Sequence, residues 1–214
     1  MIKNKKERDF YIMADRMMNR GYFKRSLLRQ LYELFIPDVT MDYLSTMRKM
    51  AYISNCGGGI LSKIHYLILK KRFIKLGYKL GYSIGINCFG YGLTLQHHGT
   101  IIIGGNNVIG NYALINTCTC IIRNASIIGN GLFMGAGAKI IKQVNLKDNV
   151  LIGSNAVVST SFEDSNILLG GIPAKMIKGT GGAWYDDLYG DFWIDRHNQV
   201  ETLKAHLFGD EKVG

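Results

Sequence analysis

From Ile103 onward the chain places an aliphatic residue at every sixth position: Ile103, Ile109, Ile115 and Ile121, then, after a slip of one residue, Ile128, Met134, Ile140, Leu146, Ile152 and Val158. Glycine often follows, as at Gly104, Gly110, Gly129, Gly135 and Gly153, and the fourth residue on is small or aliphatic at Ala113, Thr119, Ala125, Leu132, Ala138, Val144, Val150 and Ala156. This is the hexapeptide period of a parallel β-helix, in which each six-residue unit supplies one short flat strand and a corner. Inward aliphatics then stack at the strand spacing of a sheet, about 4.8 Å, while glycine and asparagine (Asn106, Asn107, Asn111, Asn130, Asn149, Asn155) take the tight corners.

The first 82 residues carry a helical period instead. Phe10, Met13, Ala14 and Met17 keep a three-and-four spacing, and Leu27, Leu28, Leu31 and Leu34 do so again before Pro37 ends the run. A third helix is expected after Thr40 and a fourth, carrying Ile60, Ile64, Leu67 and Ile68, beyond the glycines at 57–59. Such apolar faces predict core packing and no chemistry. From about 179 the six-residue period is lost, and Trp184, Tyr185, Asp186, Asp187, Tyr189 and Trp193 lead toward a short helix expected from Asp195. Aromatic rings beside carboxylates suit two kinds of role: the expected one is capping the open end of the solenoid or packing, the alternative is stacking against a sugar. The chain thus divides into a basic α-helical segment (1–82), a β-helix (83–178) and a carboxy-terminal extension (179–214), a mainly β fold.

Charge sharpens this division. Of the net +10, residues 1–82 hold 17 Lys or Arg against 6 Asp or Glu, whereas the rest of the chain holds 9 against 10. A basic segment of this kind suits an anionic membrane surface, an acidic polysaccharide or nucleic acid, or is a solvated helical face. No nucleic-acid-binding motif accompanies it, so nucleic acid is not an expected partner. Peripheral membrane association through Lys70, Lys71, Arg72, Lys75 and Lys79 is an expectation of the charge asymmetry. Apolar runs such as 66–69 and 101–103 fall far short of the roughly 20 residues that span a bilayer, and no secretory leader opens the chain. The expected location is the cytoplasm, with the inner face of the membrane as the surface within reach. Cys56, Cys88, Cys118 and Cys120 show neither a C-x-x-C pair nor a dense secreted spacing, so free, mostly buried thiols and no metal site are expected.

Three stretches carry more than architecture. "GLTLQHHGTIII" (92–103), "MGAGAKII" (134–141) and "GGIPAKMIKG" (170–179) resemble, in that order and with similar spacing, the hexapeptide acyltransferases of the serine acetyltransferase type. The resemblance covers roughly residues 80–179. It implies a left-handed parallel β-helix, acetyl-CoA as acyl donor, and a homotrimer with its sites between subunits. His97, two residues after Leu95, takes the place of the family's catalytic histidine, whose work is to remove a proton from an acceptor hydroxyl that then attacks the thioester carbon. Imidazole, with an ordinary pKa near 6.5, is largely neutral at working pH, and such a base contributes about 10²–10⁴ in rate. Gly135, Ala136, Gly153 and Ser154 match positions where small residues let the backbone approach the pantetheine arm. Ile172, Pro173, Ala174 and Lys175 match the closing motif beside the coenzyme, where a lysine can meet a phosphate. His98, in a strand-like run, is expected on the opposite face from His97, at the surface or a subunit interface.

The chain also departs from that pattern. Cysteine-forming serine acetyltransferases carry an aspartate about fifteen residues before the histidine; here Tyr82 stands there. They carry a second histidine in a long mid-helix loop; here "IIRNASI" has one extra residue and no histidine. A shorter-headed group of the same type, associated with surface-polysaccharide synthesis, is similar in its helical segment, its Asp15–Arg16 pair and its Lys/Arg-rich helix. Its members often place a histidine where this chain has Asn116, whose amide can hydrogen-bond an acceptor or a developing oxyanion. These features point to acetyl transfer onto a hydroxyl of a glycan or polysaccharide precursor, by direct attack. Serine O-acetylation in cysteine biosynthesis and a non-catalytic coenzyme- or glycan-binding scaffold are the alternatives. A lone trimer is expected from so short a helical head.

Overall fold

The computed structural model describes residues 1–122, 125–187, 191–209 and 213. All ten aliphatics of the six-residue register point inward, and none is more than 3% exposed. Three walls enclose them. The first holds β1 (Tyr82–Ile84), β3 (Ile101–Ile103), β6 (Thr119–Ile121), β9 (Lys139–Ile140) and β12 (Val157–Val158). The second holds β4 (Val108–Ile109), β7 (Ile127–Ile128) and β10 (Asn145–Leu146). The third holds β2 (Thr94–Leu95), β5 (Leu114–Ile115), β8 (Phe133–Met134), β11 (Val150–Ile152) and β13 (Ile167–Gly170), with β14 (Lys175–Gly179) returning antiparallel against β13. Up to β13, consecutive strands go to different walls, so the inner strands of each wall pair in parallel with the coil before and the coil after. That two-sided ladder is what lets strands of two or three residues persist, because their amides and carbonyls are satisfied between coils.

The single slip in the period is absorbed at a corner. Ala125 is turned outward with φ +59°, and Ser126, 0% exposed, fills the small inward position that the sequence assigned to Ala125. An extra residue upstream moves the register by one, and the Ser126 hydroxyl is accommodated by accepting a hydrogen bond from the Val144 amide at 3.1 Å.

Four helices precede the solenoid: α1 (Lys5–Arg20), α2 (Leu27–Phe35), α3 (Val39–Cys56) and α4 (Gly59–Leu80). Asn4, Ser26 and Asp38 cap the first three by accepting from the amides of Glu7, Arg29 and Met41. In α1 and α3 the apolar faces are core, with Phe10, Ala14, Met17, Leu44 and Met47 all buried. In α2 and α4 they are not. No residue of α2 is buried, and Ile60, Ile64, Leu67 and Ile68 of α4 are 50–74% exposed. The packed face of α4 is the neighbouring stripe of Ser62, Tyr66, Leu69, Phe73, Leu76 and Leu80, also spaced by four and three, which leaves the more apolar stripe outward. Inside the head, Arg48 of α3 pairs with Asp15 of α1 at 2.8 and 3.0 Å, and both are at most 1% exposed. Arg48 also donates to the carbonyls of Phe89 and Gly90, and Asp15 accepts from the Leu93 amide, so one buried pair ties α1 and α3 to the first coil.

The extension forms α5 (Trp184–Asp187) and α6 (Asp191–Phe208), the latter starting earlier than Asp195 and running 18 residues. Of the expected capping or packing, the structure shows packing. Trp184, Trp193 and Val200 pack with Phe10, Met18, Tyr91, Leu114 and Leu151, over the outer side of the third wall and against α1. The Trp184 indole donates to the Tyr112 carbonyl at 2.7 Å, and the hydroxyls of Tyr91 and Tyr112 both donate to Glu201. With Trp184 and Trp193 at most 4% exposed, these two rings offer no face to a sugar. Tyr189 and the Asp187 side chain lie outside the described residues. The cysteines are free, but Cys56 and Cys118 are exposed and only Cys88 is buried, against the expectation of mostly buried thiols. Cys118 is drawn outward because it occupies a left-handed corner position, φ +60°.

Candidate active site

One edge of the solenoid collects the residues that the sequence assigned to catalysis and to the coenzyme. The corner leaving the third wall recurs after β2, β5, β8, β11 and β13, and the register stacks Leu95, Ile115, Met134, Ile152 and Leu169. Residues 96–100, 116–118, 135–137, 153–155 and 171–174 therefore form a column, and at about 4.8 Å per coil its ends are roughly 20 Å apart. His97 sits at the top, Asn116 one coil on, Gly135 and Ala136 next, then Gly153 and Ser154. Ile172, Pro173 and Ala174 make the turn into β14, which Lys175 opens.

The top corner differs from those beneath it. Five residues, 96–100, connect β2 to β3, whereas three, 116–118, connect the matching strands one coil on. The two extra residues push His97 and His98 out of the coil, and both are exposed. The pair lies in a bend and not in a strand, so strand alternation does not set the side of His98, while its exposure agrees with the expected place at the surface. Gly99 makes the bend possible: its φ is +131°, and a Cβ there would stand 2.1 Å from the Thr117 hydroxyl.

The loop is nonetheless tied down at both ends. The Tyr82 hydroxyl donates to the His97 carbonyl at 2.7 Å, and the Gly99 amide donates to the Leu80 carbonyl at 2.8 Å. Before the loop, Asn19 of α1 accepts from the Leu95 amide at 3.0 Å and donates to the Leu93 carbonyl at 2.8 Å. Asn19 and Asp15 thus satisfy the edge of β2, which has a coil on one side only. Burial pushes the Tyr82 phenol up to about 12, so it remains a donor at neutral pH. Sequence reasoning treated Tyr82 as a lost aspartate and missed its contact with the histidine loop; its place fifteen residues before His97 was the available signal. Nothing in the local pattern marked Asn19.

Lower down, the column is built for close approach. A Cβ on Gly135 would lie 2.6 Å from the Ser154 amide nitrogen. Gly135 is buried and Gly153 half-buried, while Ala136, Ser154, Ile172, Pro173 and Lys175 are exposed and Ala174 is buried, its amide donating to the Val157 carbonyl at 2.8 Å. Asn116 is half-buried, and its side-chain amide donates to the Met134 carbonyl at 2.9 Å, so one of its two amide hydrogens is held by the next coil. No Asp, Glu, Lys or Arg occurs at 96–100, 116–118, 135–137 or 153–155.

A serine acetyltransferase of Neisseria gonorrhoeae superposes on this structure with a TM-score of 0.62 at 17% identity, over 88% of this chain and 73% of its own. In complex with serine it gives 0.60 at 20% identity, over 81% and 70%. A serine acetyltransferase in complex with CoA gives 0.56 at 18% identity, over 80% and 68%. The fold is the left-handed β-helix of the acetyltransferases. In sequence, a serine acetyltransferase of Synechococcus elongatus (strain ATCC 33912 / PCC 7942 / FACHB-805) is 28% identical over an alignment of 99 residues that covers 43% of this chain and 40% of that relative. The chain thus spans less than half of the length of the curated relative it matches. No family model matches the chain.

Proposed function

We propose that this protein is an acetyl-CoA-dependent O-acetyltransferase with His97 as general base. The observation that carries the reading is the column itself: an imidazole on a lengthened, anchored loop stands at the head of an edge whose lower coils are stripped to Gly135, Ala136, Gly153 and Ser154. Acetyl-CoA would lie along that edge, its pantetheine arm against the small residues and a phosphate within reach of Lys175. His97 would take the proton of the acceptor hydroxyl as its oxygen attacks the thioester carbonyl. Collapse of the tetrahedral intermediate breaks the carbon–sulfur bond, and the departing thiolate takes that proton back from the imidazolium. Asn116 would hydrogen-bond the acceptor or the oxyanion through the amide hydrogen that Met134 leaves unused. His97 is open to solvent on a single chain. A homotrimer, whose neighbouring copy covers the edge, would supply the water exclusion that acyl transfer needs.

Serine is the acceptor that the similarity to serine acetyltransferases favours. A hydroxyl of a glycan or polysaccharide precursor is the second reading, favoured by the corners 96–100, 116–118, 135–137 and 153–155, which hold no Asp or Glu to pair with an amino acid's ammonium. The test is release of free CoA from acetyl-CoA, read with a thiol-reactive dye, with and without millimolar L-serine. Serine-dependent release that vanishes in His97→Ala supports the first acceptor. Acetyl-CoA binding without serine-dependent release supports the second, and absence of acetyl-CoA binding overturns the proposal in favour of a scaffold.

A further inference from the structure

Between α1, α3 and α4 lies a cavity of about 320 Å3 that the reaction proposed above does not use. Arg16 of α1, Arg25 from the link before α2, Lys49 of α3 and Arg72 of α4 line it, with Asp42 as the one carboxylate. Asp42 is paired with Arg72 at 3.1 Å, and Glu33 holds Arg25 at 2.7 Å. Among the described residues, Arg16 and Lys49 pair with no carboxylate. Burial, then the charge of Arg25, press the Arg16 guanidinium below its ordinary range, as expected where cations crowd without enough counter-charge. A second observation is independent of charge. Ser45 lines the same cavity, is 8% exposed, and its hydroxyl is a buried polar atom with no hydrogen-bond partner. Arg16 Nη1 donates to the Phe23 carbonyl at 2.9 Å, and a phosphate supplies acceptor oxygens for the hydroxyl, the ammonium and the other N–H groups of that guanidinium at once.

The surroundings indicate where such a phosphate comes from. α2 starts two residues beyond Arg25, and its Leu27, Leu28, Leu34 and Phe35 are 76–86% exposed. α4, which gives Arg72 to the cavity, exposes Ile60, Leu61, Leu67 and Ile68 at 63–79%. α4 carries six Lys or Arg and no Asp or Glu, so the same face of a second copy would meet it with like charge, whereas an anionic lipid surface complements both its cations and its apolar side chains. No described helix is long and apolar enough to cross a membrane, so the contact is made from one side. We propose that the cavity lined by Arg16, Lys49, Arg72 and Ser45 seats the phosphate of an anionic phospholipid while α2 and α4 lay their exposed apolar side chains into the bilayer surface around it. This holds or fails independently of the acetyl transfer.

The test is cosedimentation of the full chain with vesicles of phosphatidylcholine alone or mixed with phosphatidylglycerol. Binding is expected only to the mixed vesicles, and Leu34→Glu with Phe35→Glu, at exposed positions, is expected to abolish it. Neutralising two cations outside the cavity, Lys71→Gln with Lys79→Gln, should cost no more than about fivefold per charge. Arg16→Gln with Lys49→Gln should cost clearly more, and Ser45→Ala, which removes only the hydroxyl, should weaken binding severalfold while its melting temperature shows the fold intact. Equal losses from the two lysine and arginine pairs, together with an unaffected Ser45→Ala, would reduce the surface to diffuse charge and overturn the seat. Equal binding to phosphatidylcholine alone would overturn phosphate recognition. Stabilisation by inorganic phosphate, lost in Ser45→Ala, without vesicle binding would make the ligand a soluble phosphate and overturn the membrane role. A change in oligomer size in Leu34→Glu with Phe35→Glu, at unchanged vesicle binding, would assign the apolar face to a second copy instead.

Discussion

Replacing Arg48 by methionine, similar in length but uncharged, tests whether the buried pair fastens the helical head to the solenoid. In the native structure Arg48 makes two bonds to Asp15, at 2.8 and 3.0 Å, and one each to the carbonyls of Phe89 and Gly90, at 2.8 and 2.6 Å. Arg48→Met leaves the Asp15 carboxylate, 0% exposed, facing a thioether, with the backbone amides of Leu93 and Gly92 as remaining donors. Breaking a buried pair on one side costs about 3–5 kcal/mol, because the surviving charge can neither ionise in comfort nor reach water. For a chain of this size about 2–4 °C is lost per kcal/mol, so the melting temperature should fall by roughly 6–20 °C. The measurement is thermal unfolding followed by circular dichroism at one fixed protein concentration, since assembly makes the midpoint concentration-dependent. Adding Asp15→Leu to Arg48→Met removes the orphaned charge and should restore at least half of the loss, the two carbonyls and the amides of Leu93 and Gly92 accounting for the remainder. A single variant that loses less than about 1 kcal/mol, or a double variant no better than the single, would refute the reasoning.

Turnover in His97→Ala should fall by about 10²–10⁴ while acetyl-CoA binding, measured by calorimetry, is retained; unchanged turnover removes His97 from the mechanism. Tyr82→Phe deletes one hydrogen bond to the His97 carbonyl, worth about 1 kcal/mol, and should lower kcat severalfold with KM for acetyl-CoA unchanged, whereas a fall in melting temperature with no kinetic change would make the bond purely structural. Gly99→Ala should displace the histidine loop, since its backbone stands at φ +131° with Thr117 in the way, and loss of activity with the circular dichroism spectrum retained is the signature. Burial raises the Glu201 pKa, but hydrogen bonds from Tyr112, Lys204 and Tyr91 outweigh it and hold the carboxyl below its ordinary 4.5. A depressed folded value means that Glu201 stabilises the clasp of α6 above that pH and that the contribution is lost as pH falls through the folded value. The stability gap between the native chain and Glu201→Gln should therefore close in acid, and a gap independent of pH would contradict the assignment.

The solenoid was legible in the sequence because its determinant is local and repeated. A six-residue period of aliphatics leaves few other structures available, and stacking converts that period directly into walls. The column was legible for the same reason, since residues a whole number of coils apart must share an edge. What the chain order hid were choices between alternatives of similar local merit. α4 has two stripes with the same three-and-four spacing, and the less apolar one packs because Phe73, Leu76 and Leu80 meet the first coil beneath it. Ala125 and Ser126 are both small enough for the inward place, and the inserted residue decides between them. His98 and Asn19 depend on contacts across the fold, a lengthened bend in one case and an edge strand 76 residues away in the other, which no window of sequence contains.

A solenoid ordinarily grows like a stack of coins, each coil resting on the one already laid. Here a helix ahead of the coils leans on one beyond them: α1 packs against α6, and Arg196 donates to the Met18 carbonyl at 2.8 Å. During synthesis α1 leaves the ribosome long before α6, and the side of its apolar face that α6 covers waits for that helix to emerge. A product stalled or clipped ahead of α6, however many coils it has laid, displays that unsheltered side to proteases and chaperones.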